Sequence, residues 1–187
     1  MSTLNNYVIV DTETGGLDAN THSLISVGLV SACGTRMDEF LVKEPILTTD
    51  PRSMAIHGIT VEEIERDGLS PVDAIARFES FFESMEGPVL LVGHNISFDL
   101  NFIKRLYLQA NRVLPRKISH RSIDTHTMLW TGIKLGIFPA AVNTSDGAFR
   151  YFKIEPPADK RHTALGDAIA TQKLVNAILD SFKTQQS

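Results

Sequence analysis

Five residues stand out for what their types and spacing could do: Asp11 and Glu13 in "IVDTETGG", Asp99 in "HNISFD", and His162 and Asp167 in "RHTALGD". Side chains on a strand repeat every second residue, so Asp11 and Glu13 point to the same side of the apolar run that carries them. Neighbouring carboxylates raise each other's pKa and resist joint ionisation unless positive charge sits between them. Four oxygen-donor carboxylates suit two hard cations such as Mg²⁺ or Mn²⁺, whereas one cysteine and no close histidine pair offer little to zinc. Taken singly, each segment has a plainer explanation. A D-x-E at a strand end can cap backbone groups, Asp99 can complement a helix dipole, and His162 can be an exposed loop residue. His162 and Asp167 lie five positions apart, which puts them on different faces of a regular helix. The spacing makes sense if His162 sits in the loop and Thr163 caps the helix that carries Asp167.

These groups need elements to hold them. "YVIV" at 7–10, "LISVGLVS" at 24–31 and "DEFLVK" at 38–43 read as an antiparallel meander. A helix then opens with Ser70 as N-cap, Pro71 at its first position and Asp73 in its first turn, with Val72, Ile75, Phe78, Phe82 and Met85 on one face. "PVLLVGHN" is a buried strand followed by the helical spacing of "SFDLNFIKRLYLQA". "SHRSIDT" is a short strand, and "HTALGDAIATQKLVNAILDSF" a long amphipathic helix. Asp11 and Asp99 therefore fall just past carboxyl ends of strands, where open α/β sheets place their ligands. The whole predicts an α/β fold: a mixed sheet, antiparallel meander plus parallel strands, flanked by helices. His94 and Asn95 read as turn and capping residues, Thr60 and Glu63 as a capping box, and Asp124 as a helix N-cap. "IFPAAVNTSDGAF" yields no reading.

The 187 residues, 43% hydrophobic, fit one domain over 1–187. With no run of eighteen apolar residues and no basic start followed by a cleavage site, the expectation is a cytoplasmic protein without a membrane segment. Cys33 stands alone, so no internal disulfide forms. A net charge of −4 argues against a long grip on a duplex, where many phosphates must be neutralised. It leaves open a strand end, which needs few phosphate contacts. The basic run of Arg112, Arg116, Lys117, His120 and Arg121 is either a solvated loop or a rim for incoming phosphates.

"DTETGG", "HNISFD" and "HTALGD", in that order, resemble the three motifs of the DEDD superfamily of 3′→5′ exonucleases, in the subclass with a histidine ahead of the last aspartate. The resemblance runs from residue 8 to about 180 and is similar in kind to proofreading exonucleases of bacterial replicative polymerases and to ribonuclease T. It implies a ribonuclease H-like fold, metal binding by Asp11, Glu13, Asp99 and Asp167, and His162 as general base. These five form the catalytic set, with two Mg²⁺ or Mn²⁺ ions per site about 4 Å apart. It further implies that Thr12, Gly15, Leu17, Ile56, His57 and Phe98 bind substrate, the last four lining a pocket for the terminal nucleotide. Gly15 and Gly16 are expected to leave the backbone open to it. The implied activity is 3′→5′ hydrolysis of single-stranded DNA and/or RNA ends, releasing nucleoside 5′-monophosphates. An RNA-specific trimming enzyme, an oligoribonuclease and a polymerase-associated proofreading or binding module stay open, as do a homodimer and a contact with a polymerase. Residues stop at Ser187, soon after the last motif, which favours an independent enzyme.

Overall fold

The computed structural model of the chain describes residues 6–155 and 162–184. Strands β1 (Tyr7–Thr14), β2 (Leu24–Ser31) and β3 (Met37–Leu41) form the expected meander. Strands β4 (Val89–Gly93) and β5 (Ile118–Asp124) extend the sheet in parallel from the other side of β1, giving the order β3-β2-β1-β4-β5. Parallel neighbours require crossovers. Helices α1 (Pro51–His57), α2 (Val61–Asp67) and α3 (Pro71–Ser80) precede β4, and α4 (Ser97–Gln109) links β4 to β5. There follow α5 (Thr125–Lys134), a 3₁₀ turn at Ala140–Asn143, α6 (Ser145–Phe152) and α7 (Ala164–Thr184). Among the described residues, no helix is long and apolar enough to cross a membrane.

Alternation along β1 decides what each layer contains. Val8 and Val10 belong to a core shared with Phe78 of α3 and Phe102, Ile103 and Leu106 of α4. Tyr7 and Ile9 face the other way, onto Ala168 and Val175 of α7. By the same period Thr12 turns toward the α4 layer, and Asp11 and Glu13 toward α7. A third cluster of Leu129, Phe138, Phe149 and Leu174 ties α5 and α6 to α7. Burial of each large apolar side chain is worth about 1.5–3 kcal/mol.

Two differences from the sequence reading matter. Strand β1 does not stop at Val10: its ladder with β2 continues from Val8↔Ser31 to Thr14↔Leu24, with a register shift after Glu13. Asp11 and Glu13 thus lie within the strand. On the opposite side the ladder with β4 covers only Tyr7 to Ile9, so among the described residues β1 has no strand partner there beyond Ile9. In α3 the capping by Ser70 and Pro71 stands as read. The buried stripe, however, runs through Ala74, Ile75 and Phe78, and Val72, on the far side of the helix, is exposed.

Candidate active site

Asp11, Glu13 and Asp167 each bring one carboxylate oxygen within 4.8 Å of the others. The first two come from one face of β1. Asp167 comes from the first turn of α7, which lies over that face. What holds α7 so close is a row across the sheet: Asp11 pairs with Gly28 of β2, and Gly28 with Glu39 of β3. A Cβ at Gly28 would lie 2.3 Å from the Ala164 carbonyl and 2.5 Å from Leu165 N, so the helix can begin there only over a glycine. The Glu39 carboxylate accepts from Leu165 N at 3.0 Å, and Thr163 Oγ1 accepts from Gly166 N at 3.0 Å. Two orphan amides of the first turn are thereby satisfied, and the turn bearing Asp167 is fixed. Sequence reasoning found the Thr163 cap and missed Gly28 and Glu39. A glycine in the middle of an otherwise apolar strand was the available signal.

Asp99 reaches the site from the other layer. It lies in the first turn of α4, is 4% exposed, and accepts a 2.7 Å hydrogen bond from Thr12 Oγ1, the side chain that β1 sends to that face. It stands outside the 4.8 Å group, near enough to Glu13 to act on its ionisation. Burial, then Asp167, Asp99 and Glu39, push Glu13 up to about 8. Every charged group that the described residues bring to bear on it is negative. Burial likewise raises Asp99, against the hydrogen bonds that favour its ionised form. Ser26, opposite Glu13 on β2, keeps its buried Oγ without a hydrogen-bond partner. Oxygen donors, their mutual repulsion, and among the described residues an orphaned hydroxyl beside Glu13 fit a divalent hard cation.

His162 is exposed, in the left-handed region at φ 60°, immediately ahead of the Thr163 cap. With Asp11, Asp167, His94, Ser145 and Phe149 it lines a cavity of about 170 Å³. The stretch that gave no sequence reading builds part of that wall: Thr144 caps α6 by accepting from Gly147 N, and α6 supplies Ser145 and Phe149. His94 hydrogen-bonds Thr125 Oγ1 at 3.0 Å and meets His126 edge-on. Burial, then His126, lower its pKa, favouring the neutral ring. Asp124 caps α5 as expected and also accepts from Asn95 N.

The residues expected around a terminal nucleotide are brought together in part. Leu17, 84% exposed, and half-buried Phe98, packed on Phe102, line one groove. Ile56, exposed, and His57, half-buried, sit at the end of α1 beside β1 and do not line that groove. His57 Nδ1 accepts from Ile59 N at 3.0 Å, its buried Nε2 makes no close hydrogen bond among the described residues, and burial lowers its pKa against the opposing effect of the Thr14 backbone. The room expected beside the glycine pair is filled by the chain itself. A Cβ on Gly15 would meet Thr48 O at 2.5 Å and one on Gly16 the His22 ring at 2.2 Å. These glycines let neighbouring loops close against the strand end.

The exonuclease family profile matches residues 8–175. The 3′-5′ DNA exonuclease Cap18 of Escherichia coli is 34% identical over 112 residues, 56% of this chain and 60% of that protein. The DNA polymerase III subunit epsilon of Buchnera aphidicola is 26% identical over 177 residues, 89% of this chain and 70% of that one. The nuclease domain of 3′hExo, a DEDDh family member solved with rAMP, superposes with a TM-score of 0.74 over 93% of this chain and 91% of that one. At 13% identity that likeness speaks to the fold, a mixed sheet of ribonuclease H type flanked by helices.

Proposed function

The chain belongs to the exonuclease family, and from that premise we infer that it removes nucleotides one at a time from single-stranded 3′ ends of DNA or RNA. The observation that carries the reading is the convergence of Asp11, Glu13 and Asp167 within 4.8 Å, with His162 on the same cavity as Asp11 and Asp167. Asp11, Glu13, Asp99 and Asp167 would hold two Mg²⁺ or Mn²⁺ ions, which supply the positive charge that stabilises attacking and leaving oxygens of a phosphodiester. A ring nitrogen of His162 takes the proton of the attacking water. The water oxygen bonds to phosphorus as the bond to the 3′ oxygen of the penultimate nucleotide breaks; that oxygen takes a proton from solvent to become the new 3′-hydroxyl, and a nucleoside 5′-monophosphate is released. Thr12 holds Asp99 from behind through its hydroxyl. Leu17 and Phe98 wedge or stack against the terminal bases, a sequence-tolerant contact. Ile56 and His57 border the terminal sugar from the α1 side, and Gly15 keeps the strand end closed beside them.

Cap18 is named as a DNA exonuclease and 3′hExo was solved with rAMP, which supports both sugars as candidates here. The decisive assay compares 5′-labelled single-stranded DNA, RNA and duplex, linear and circular, with Mg²⁺, Mn²⁺ or chelator. The reading expects a ladder shrinking from the 3′ end, resistance of closed circles, and silence in chelator and in Asp11→Ala. Hydrolysis undiminished by excess chelator, or circles cut as fast as linear strands, would remove it.

A further inference from the structure

Leu17 and Phe98 stand at the start of a groove of about 520 Å³ between the loop at 17–20 and α4, with Asn101, Lys104 and Arg105 further along it. A second groove of about 540 Å³ lies between α4 and the segment leading into β5, lined by Leu100, Leu114, Arg116, His120 and Arg121. Lys104 lines both, six residues or about 9 Å along α4 from Phe98. The grooves thus meet at one lysine and form a track leading away from the terminal-nucleotide end of the site.

Several cations on and around this track are held by partners in the protein. Arg105 is bound by buried Glu44, Arg112 by Glu79, Arg77 by Asp38 and Lys43 by Glu65, while Lys117 donates to the Met85 carbonyl. Lys104, Arg116 and Arg121 are exposed, and their side chains make no ion pair or hydrogen bond among the described residues. The one acid in either lining, Asp18, spends its carboxylate on Asn20 and Thr21. A chain of net charge −4 therefore keeps three unengaged cations on the lining of these grooves. The linings also carry apolar side chains: partly buried Phe98, Leu100 and Leu114, and exposed Leu108. Spaced cations over apolar side chains that can take base faces are the recognition chemistry of a single-stranded polynucleotide.

We propose that this track holds the strand upstream of the scissile end, with Lys104, Arg116 and Arg121 on successive phosphates. The proposal rests on the exonuclease reading of the site. It divides the basic run read in the sequence: Arg112 and Lys117 are engaged by the protein, and Lys104, outside that run, joins Arg116 and Arg121.

The test is the triple variant Lys104→Ala, Arg116→Ala, Arg121→Ala beside a control, Lys43→Ala, Arg66→Ala, Lys183→Ala, that loses the same charge elsewhere. Binding of fluorescein-labelled twelve-mers of dT and of U is followed by anisotropy in chelator across a salt series, so that no hydrolysis occurs. Single strands give a slope of log K against log salt of about −0.7 per phosphate contact, so the triple variant should flatten the slope by about 2 and the control should not. With Mg²⁺, its KM for the twelve-mers should rise on the order of 10-fold or more at unchanged kcat, and a dinucleotide should be cleaved as by wild type. Flattening for dT alone or U alone would assign the track to that polymer. An unaltered slope with both polymers, or an equal loss in the control, overturns the track. If neither protein hydrolyses any oligonucleotide, the reading of the site fails, and the salt slope still decides for or against the track.

Discussion

Replacing Gly28 by alanine changes no ionisable group and no residue lining the cavity, yet it should slow the reaction. The added methyl would sit 2.3 Å from the Ala164 carbonyl carbon and oxygen, about 1 Å inside ordinary contact. The obstacle is backbone, so a side-chain rotation cannot relieve it, and the start of α7 must retreat by about that distance. The retreat stretches the 3.0 Å bond from Leu165 N to Glu39 and carries Asp167 away from Asp11 and Glu13. Overpacking of this kind costs about 1–3 kcal/mol of stability. A 1 Å misplacement in a catalytic constellation costs on the order of 10²-fold in rate, or about 2.7 kcal/mol of barrier. The assay is single-turnover cleavage of a short labelled oligonucleotide in Mg²⁺, well below the melting temperature of both proteins, with circular dichroism to count the folded fraction. A wild-type rate, or a loss no larger than the folded fraction explains, would refute the claim that close approach of α7 over Gly28 sets the position of Asp167.

Four further outcomes are expected. Asp167→Asn should abolish metal-dependent cleavage and lower the pKa of Glu13 followed by NMR titration in chelator, because it removes a negative neighbour of Glu13. The raised pKa of Glu13 makes the metal-free fold most favoured below about pH 4.5 and less so as pH rises through about 8. Metal must displace that proton, so affinity measured by calorimetry should weaken by up to tenfold per unit of pH below 8, with proton release detected in buffers of different ionisation enthalpy. His162→Ala should lower kcat by on the order of 10²- to 10⁴-fold with metal affinity nearly unchanged, and an equal loss of both would make His162 a ligand. Glu44, 4% exposed, accepts from Leu24 N, Arg105 and Gln109, so Glu44→Ala should destabilise by about 3–5 kcal/mol in urea unfolding.

Legibility followed the range of the interaction. The strand at 24–31, the caps at Ser70, Thr60, Asp124 and Thr163, and the order of elements rest on neighbours a few residues apart, and all stand in the structure. The spacing of His162 and Asp167 was readable for the same reason. Gly28 and Glu39 were not, because their meaning lies in a helix that starts more than a hundred residues later. The engagement of Arg112 and Lys117, the packing of Thr48 against Gly15 and the wall built by Ser145 and Phe149 are likewise products of tertiary contact. Strand β1 was read short because apolarity ends at Val10, whereas the ladder that defines the strand belongs to β2.

The four carboxylates come from opposite layers of one sheet, and Asp11 and Asp167 are separated by most of the chain. Such a site has no partial version. Residues 11, 13 and 99 leave a ribosome well before Asp167, and until α7 docks over Gly28 they form no closed group. The long-range docking of α7 is also the slowest kind of contact to form. On the exonuclease reading proposed above, cleavage therefore has to wait for completion of the fold. In refolding experiments, cleavage should accordingly appear with the last kinetic phase and never before it.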